Sequence, residues 1–510
     1  MIRPAPAHRF RRSLAGIVAR AIIPALLGLI VGQAAPGAPE DYDRWFTISM
    51  DGQRAGWMHM SQATAEGRVT TTSEMSFSLR RGEELISIRY DTTFVETVSG
   101  QPIRAVSRDE IGAEPVTIEY TFEPDAVTVV TTRRGRTTTR TEATPEGTWL
   151  PPAAAGEFLA RRLAAGATQI TIRTIDPGTG LTPVIVSRTV MGREEFRVLG
   201  KDVPVFRCEA AYSSQPGVTA TELLDDRGLL VRSESSMGEI RIEAIVSTRR
   251  AALERFRAPE LMRSTFITPS REIAAPRRAR TATYVLRVPD GSIRVLSQSV
   301  QQADQIDEQS VRVVVNLDES LDAGDDMGGG VAARSFLKPS RWLDAADPAV
   351  VQLARRATRG SSDDPAARAE AMRRFVNQHV SEKALDLGFA SASEVARDGR
   401  GDCTEHAVLL AAMLRADGIP SRVVSGLIYA TRFAGESGVF AFHMWTQALV
   451  ETDSGARWIN LDATLPGDVS FDATHIAVAT SALSDERSGD ALLPVAELLG
   501  RLSIEVKAVR

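Results

Sequence analysis

The chain reads as an α+β protein in two halves, the first all-β and antiparallel, the second mixing helices with strands. Three observations predict this. From about Asp43 to Ser247 apolar residues alternate with polar ones, the period of strands with one face covered. Glycine-bearing turns punctuate that stretch, as a meander requires. Beyond residue 340 the period changes, and Asp-Pro pairs open segments whose apolar residues recur at helical spacing.

The strands can be justified in order. Met75, Phe77 and Leu79 share one face; Ile86, Ile88 and Tyr90 share a face of the next strand. Val116, Ile118, Tyr120 and Phe122 repeat the pattern, and Val127 to Thr131 continues it. Turns are expected at Asp51-Gly52, Arg81-Gly82, Ser99-Gly100 and Arg134-Gly135, with a hairpin tip at Leu199-Gly200-Lys201-Asp202. One helix interrupts the meander after Pro151-Pro152, where Phe158, Leu159 and Leu163 fall at helical spacing, and the sheet is expected to curve around it. Trp45, Trp57 and Trp149 read as packing residues, and Cys208 as core. Thr268 to Arg280 carries two prolines and four arginines with few apolar residues, and reads as a linker.

Alternation resumes at Tyr284, Leu286 and Val288, and at Val311, Val313 and Val315; Gly324 to Gly330 reads as a loop. Asp347-Pro348 opens a helix through Val350, Val351 and Ala354, and Asp364-Pro365 opens another through Ala369, Met372, Phe375 and Val376. A short segment, Ala390 to Ala396, precedes the loop Arg397 to Asp402. Val408, Leu409, Ala411, Ala412 and Leu414 form the apolar face of a helix that Gly418 and Pro420 end. Strands follow at Val423 to Ile428, at Val439 to Val450 after a loop from Thr431 to Gly438, and at Trp458 to Leu461 after a turn at Asp453-Ser454-Gly455. Near the C-terminus, Ala491 to Leu499 is helix-like, and Leu502, Ile504 and Val506 alternate as a last strand.

Composition narrows the function. The 510 residues are 43% hydrophobic and 25% charged, an ordinary globular balance with room for several domains. A net charge of −5 argues against a dedicated nucleic-acid binder. Two cysteines exclude a disulfide scaffold or a cysteine-built metal cage, and six scattered histidines leave little for a metal site, so neither cofactor nor metal is expected. Arg3, Arg9, Arg11 and Arg12 precede the apolar stretch Ala21 to Val31, and Gly32 and Ala34 follow at the spacing of a signal-peptidase site. That order predicts an export signal over 1–35, and Arg11-Arg12 hints at the twin-arginine route. Counted even from Leu14, the segment reaches only 18 residues and includes Arg20 and Pro24, short of the roughly 20 that span a bilayer. The mature protein is expected outside the cytoplasm, periplasmic or at the cell surface, with membrane attachment only if the N-terminal segment is retained.

The chemistry gathers between residues 401 and 464. Cys403 opens a helix, where unpaired backbone N–H groups and the positive end of the dipole stabilise a thiolate, the attacking species of cysteine catalysis. Taken alone, it could as well be a small buried residue at a helix end. His443 on one strand and Asp462 at the end of the next change that: a thiol, an imidazole and a carboxylate can converge as nucleophile, base and orienter.

Gly401-Asp402-Cys403-Thr404-Glu405-His406, Gly418-Ile419-Pro420-Ser421-Arg422, Phe442-His443-Met444-Trp445 and Trp458-Ile459-Asn460-Leu461-Asp462-Ala463-Thr464 together resemble the transglutaminase-like superfamily. The resemblance is strong over 335–470 and fainter back to Tyr284. It implies a papain-like α+β catalytic domain and a Cys–His–Asp triad made of Cys403, His443 and Asp462. Ala463 stands where the family usually has proline. The expected organisation is a signal over 1–35, a β-rich domain over 40–265, a linker over 266–280 and a catalytic domain over 281–510. Secondary candidates for the substrate cleft or oxyanion site are Asp402, Glu405, His406, Trp445 and Gln378, with Asn377 beside the last. The backbone N–H of Cys403 is a further oxyanion donor. His406, three residues past the thiol, competes for the base position but lacks a carboxylate partner on a neighbouring strand.

The leading expectation is therefore an exported thiol enzyme cleaving amide or peptide bonds of a protein or peptide substrate. Two others stand beside it. An amine acceptor would make the same acyl-enzyme a protein crosslinker, and a silent thiol would leave a non-catalytic binding protein that meets a cell-envelope partner through its β-rich domain. No acidic loop has calcium-site spacing.

Overall fold

The computed structural model describes residues 40–510 apart from 82–83, 111–114, 134, 215–217, 238–239, 261–265, 322–333, 383–389, 434, 453–454, 468 and 485–492. The export signal expected over 1–35, the loop at 324–330 and the turn residues Asp453 and Ser454 lie outside the described residues. The chain divides into two compact units that meet in sequence at Glu260/Leu261. Among the described residues no helix is long and apolar enough to cross a membrane.

The first unit is a single fourteen-stranded antiparallel sheet. Strands β1 (Tyr42–Met50) to β8 (Arg136–Ala143) form one meander and β9 (Gln169–Thr174) to β14 (Ile240–Ser247) a second. The two join where β1 pairs with β14, from Trp45 opposite Ser247 to Met50 opposite Ile242. Met75, Phe77, Leu79, Ile86, Ile88 and Tyr90 are all buried, as their alternation predicts. The expected helix is α1 (Pro152–Ala164), with Leu159 and Leu163 buried. Its cap residue Pro151 supplies no side-chain acceptor. Glu96 does so instead, accepting from Ala153 N at 2.9 Å and Ala154 N at 3.0 Å. Tyr90 and Tyr120 donate to Asp176 Oδ1 and to the Pro177 carbonyl, just past β9. The sheet therefore curls until strands near one end bond the segment that follows the strand at the other.

The second unit holds two antiparallel sheets and four longer helices among its described residues. Strand β15 (Phe266–Ile267) pairs with β20 (Glu436–Thr452), which pairs with β19 (Ser421–Phe433) and β21 (Gly455–Leu461); β22 (His475–Ser481) lies on the far side of β19. A smaller sheet orders β17 (Gln301–Asp307), β18 (Ser310–Asn316), β16 (Thr281–Arg287) and β23 (Ser503–Val509). The final strand thus forms where the alternation of Ile504 and Val506 places it, paired with β16. Helices α2 (Pro348–Ala357) and α3 (Pro365–His379) start at their Asp-Pro pairs, with Asp347 and Asp364 accepting from the first-turn N–H groups.

Two expectations shift. The loop foreseen over 431–438 is shorter than expected, because β19 continues to Phe433 and β20 begins at Glu436. The arginine-rich stretch read as a linker is bonded into the second unit along much of its length. Phe266 and Ile267 register with Ala441 and Phe440. Ile273 N donates to the Tyr429 hydroxyl at 3.0 Å, and Arg271 and Arg277 reach backbone carbonyls of Val506 and Tyr429. Its polarity signals side chains that hydrogen-bond neighbouring backbone, and composition cannot tell that from solvation.

Candidate active site

Cys403 is the first residue of α5 (Cys403–Ala416), which follows the short helix α4 (Ala392–Asp398) and is buried from Cys403 through Arg415. Ala, Val and Leu all round its surface suit a helix enclosed on every side. Its start is over-determined. Asp402 accepts from Thr404 N at 2.8 Å, while Glu405 Oε2 reaches back to Asp402 N at 2.9 Å, a reciprocal capping box. Glu405 Oε1 also accepts from Ala390 N at 3.0 Å, fixing the approach to the helix. Gly401 has φ +152°, and a Cβ there would fall 2.2 Å from Glu405 Cβ. Glycine is what lets the capping side chain fold back over the loop. Burial, with Asp402 beside it, holds the Glu405 carboxyl well above the usual range.

Two hydrogen bonds tie α5 to the sheet. Ser421 Oγ donates to the Ala411 carbonyl at 2.7 Å and Thr446 Oγ1 to the Ala407 carbonyl at 2.9 Å. Ser421 stands opposite Ala448 in the ladder. Descending the helix by one turn therefore descends β20 by about two residues, since the two rises are about 6 Å and 6.6 Å.

His443 and Asp462 are in direct contact: Nε2 and Oδ2 are 2.7 Å apart, with both side chains wholly buried. Asp462 Oδ1 accepts from Thr464 N at 2.8 Å and Thr464 Oγ1 at 2.7 Å, so the threonine two residues on clamps the carboxylate. The loop after Asp462 is held from α3. Arg373 donates to the carbonyl of Leu465 at 3.0 Å, and Asn377 to that of Ala463 at 2.9 Å. Gly426 lies opposite His443 on one side and Ala477 on the other. A Cβ at Gly426 would meet the Ile476 carbonyl at 2.1 Å and Trp445 Cη2 at 2.9 Å, so its bareness permits this packing.

The remaining candidates are placed as follows. Asp402 and Glu405 are nearly inaccessible and cap α5, and His406 Nδ1 bonds the Asp402 carbonyl. Trp445 packs with Val424, Ala477 and Phe471, and its indole N–H donates to Asn460 Oδ1 at 2.9 Å. Gln378 is exposed and lines a depression with Ala357, Ala367 and Phe375. Cys208 and Cys403 are buried thiols in different units. Burial first, then Glu222, pushes the Cys208 thiol up to about 11.

Sequence reasoning missed His475, whose Nε2 lies 3.2 Å from the same Asp462 oxygen. A signal was present. Asp462-Ala463-Thr464 recurs as Asp472-Ala473-Thr474 immediately before His475, and Thr474 clamps Asp472 as Thr464 clamps Asp462. The donors of His443, Asp462 and His475 lie within 4.8 Å of one another, the cluster among the described residues closest to a metal site's spacing. The 2.7 and 3.2 Å separations are those of hydrogen bonds made directly between the side chains. A cleft of about 200 Å³ is lined by Arg277, Tyr429, Phe433, Ala441, Leu465 and Val469 among others; Ala441 stands two residues before His443 on β20, and Leu465 three residues after Asp462.

No curated relative matches the chain. A β-barrel-like protein of a domain of unknown function from Brucella abortus is 13% identical over 42% of this chain and 98% of its own, with a TM-score of 0.34. A candidate cysteine protease from Cytophaga hutchinsonii is 16% identical over 45% of this chain and 86% of its own, with a TM-score of 0.26. A candidate protease from Parabacteroides distasonis is 11% identical over 75% and 68%, with a TM-score of 0.19. Residues 351–463 match the family model of the transglutaminase-like superfamily, and Cys403, His443 and Asp462 all fall within that span: over those residues the chain carries a transglutaminase-like domain.

Proposed function

We propose that the protein is an exported amide or peptide hydrolase acting through Cys403. The observation that carries this reading is the buried bond from His443 Nε2 to Asp462 Oδ2, at 2.7 Å, in the same domain as a cysteine at a helix start. With Nε2–H committed to the carboxylate, Nδ1 is the nitrogen that takes the thiol proton. The Cys403 thiolate attacks the substrate carbonyl, and the backbone N–H of Cys403 faces the developing oxyanion. As the C–N bond breaks, His443 returns its proton to the leaving amine, and a thioester remains. Water, deprotonated by His443, then attacks the thioester; the acid leaves and the thiol is restored. The cleft walled by Tyr429, Phe433, Leu465 and Val469, which reaches Ala441 two residues from His443 along β20, suits an apolar residue of a protein or peptide substrate. Export follows from the N-terminal charge, apolar and small-residue order.

The test is a casein substrate offered with and without a fluorescent primary amine. Hydrolysis exceeding amine incorporation, and lost in Cys403→Ala with an unchanged circular dichroism spectrum, is the expected outcome. Amine incorporation in excess would make the protein a crosslinker. Activity retained in Cys403→Ala would move the chemistry elsewhere, and no activity with a thiol that labels only near pH 8.5 would make the domain a binding module.

A further inference from the structure

The carboxylate proposed to orient the base has a second imidazole. His475 Nε2 approaches Asp462 Oδ2 at 3.2 Å, the oxygen that His443 engages at 2.7 Å. At Nδ1, His475 meets the Asp472 carbonyl at 3.0 Å and Asp472 Oδ1 at 3.5 Å. Every partner is an acceptor, and an imidazole donates from both nitrogens only as the imidazolium. The ring is wholly buried, stacked on Phe471 at 4.0 Å between centroids and edge-on to Trp445 at 5.4 Å.

The surroundings are built for that charge. The titratable and charged groups near His475 are Asp462, Asp472 and His443, the last 5.9 Å away between ring centroids. Behind them Arg277 Nη1 bonds Asp472 Oδ2 at 2.6 Å. Burial alone would push the His475 pKa down; Asp472 and Asp462 outweigh it, and the balance is upward. Asp472 is held below the usual carboxylate range, its burial outweighed by His475, Arg277 and Thr474. A continuous row thus runs Arg277, Asp472, His475, Asp462, His443. Its first three members lie outside residues 351–463.

We propose that His475 is a positioning residue: it holds the Asp462 carboxylate for His443 and, as an imidazolium, offsets part of that carboxylate's charge. This rests on the reading of Cys403 and His443 as a reactive pair. Without the second cation, Asp462 acts undiluted on His443, which then holds its own proton to higher pH and takes the thiol proton only above it. The reactivity profile therefore moves to higher pH.

The experiment follows iodoacetamide alkylation of Cys403 in the full chain from pH 4 to 10, resolved from Cys208 by peptide mass spectrometry. Wild type, His475→Gln and His475→Phe are compared, with melting temperatures. The expected result is a low-pH limb in the wild type that rises by about one pH unit in both variants, for a charge lost at roughly 6 Å. Should His475→Phe fail to fold, His475→Gln decides alone, because it keeps a donor and removes only the charge. A lower melting temperature with the limb in place would mean that His475 merely packs, and the proposal falls. A wild type with no low-pH limb at all would instead overturn the reactive pair itself.

Discussion

Thr446 donates its hydroxyl to the carbonyl of Ala407 at 2.9 Å, tying the strand that bears His443 to the helix that bears Cys403. The bond lies within a fully buried interface, one helical turn from the thiol. It joins the two carriers of the proposed chemistry directly.

Thr446→Val keeps the shape and removes that bond. A buried hydrogen bond contributes about 1 kcal/mol, with a further cost for the unsatisfied partner. We expect a melting temperature lower by a few degrees, and slower alkylation of Cys403 at pH 6 as the helix start loosens. Alkylation at the wild-type rate would show that the tie supports the fold and not the site.

Asp462→Asn tests the orienting carboxylate. The amide is nearly isosteric but no longer favours an Nε2–H donor or stabilises an imidazolium. Turnover should fall by roughly 10²- to 10⁴-fold with KM within a few fold. Turnover within threefold of the wild type would remove Asp462 from the mechanism.

In the β-rich unit, burial raises the Glu96 carboxyl to about 7, although it accepts from Ala153 N and Ala154 N. The folded state thus binds the proton more tightly than the unfolded state, whose value stays near 4.5. Unfolding releases protons between those values, so stability falls as pH rises from about 4.5 to about 7. The loss is of order 2–3 kcal/mol for a shift of this size. Denaturant titrations of full-length Glu96→Gln from pH 4.5 to 7.5 should show a flatter profile for the first unit than the wild type. Identical slopes would mean that Glu96 does not titrate in that window.

Arg188 and Glu222 form a wholly buried ion pair at 2.7 Å, with the Tyr212 hydroxyl also donating to Glu222. Removing one charge strands the other. Glu222→Leu should destabilise the unit by about 3–5 kcal/mol, while Arg188→Met with Glu222→Leu should recover most of the loss. Chemical denaturation of the single and double variants checks this. Equal destabilisation in the two would show that the pair contributes more than it costs to bury.

Local signals made much of this protein legible. Asp364 caps α3 because its carboxylate reaches N–H groups two and three residues away. Met75, Phe77 and Leu79 are buried because a strand turns every second side chain to one face. Cys403, His443 and Asp462 sat in recognisable strings, each beside the glycine, aromatic or threonine that its local geometry uses. Arg277 gave no such sign. It is 195 residues from Asp472, and its neighbours read as linker. His475 gave only the echo of one short turn.

By itself, then, the amino-acid order determined most of the elements, the Asp-Pro and Asp402 caps and the candidate residues Cys403, His443 and Asp462, because these are signalled within a few residues. Tertiary structure alone decided that β19, with Gly426 bare between its neighbours, runs between the strands of His443 and His475. It alone decided that one carboxylate oxygen serves both imidazoles. Those outcomes depend on ladder register and on electrostatic partners far apart in the chain, and no periodicity encodes them.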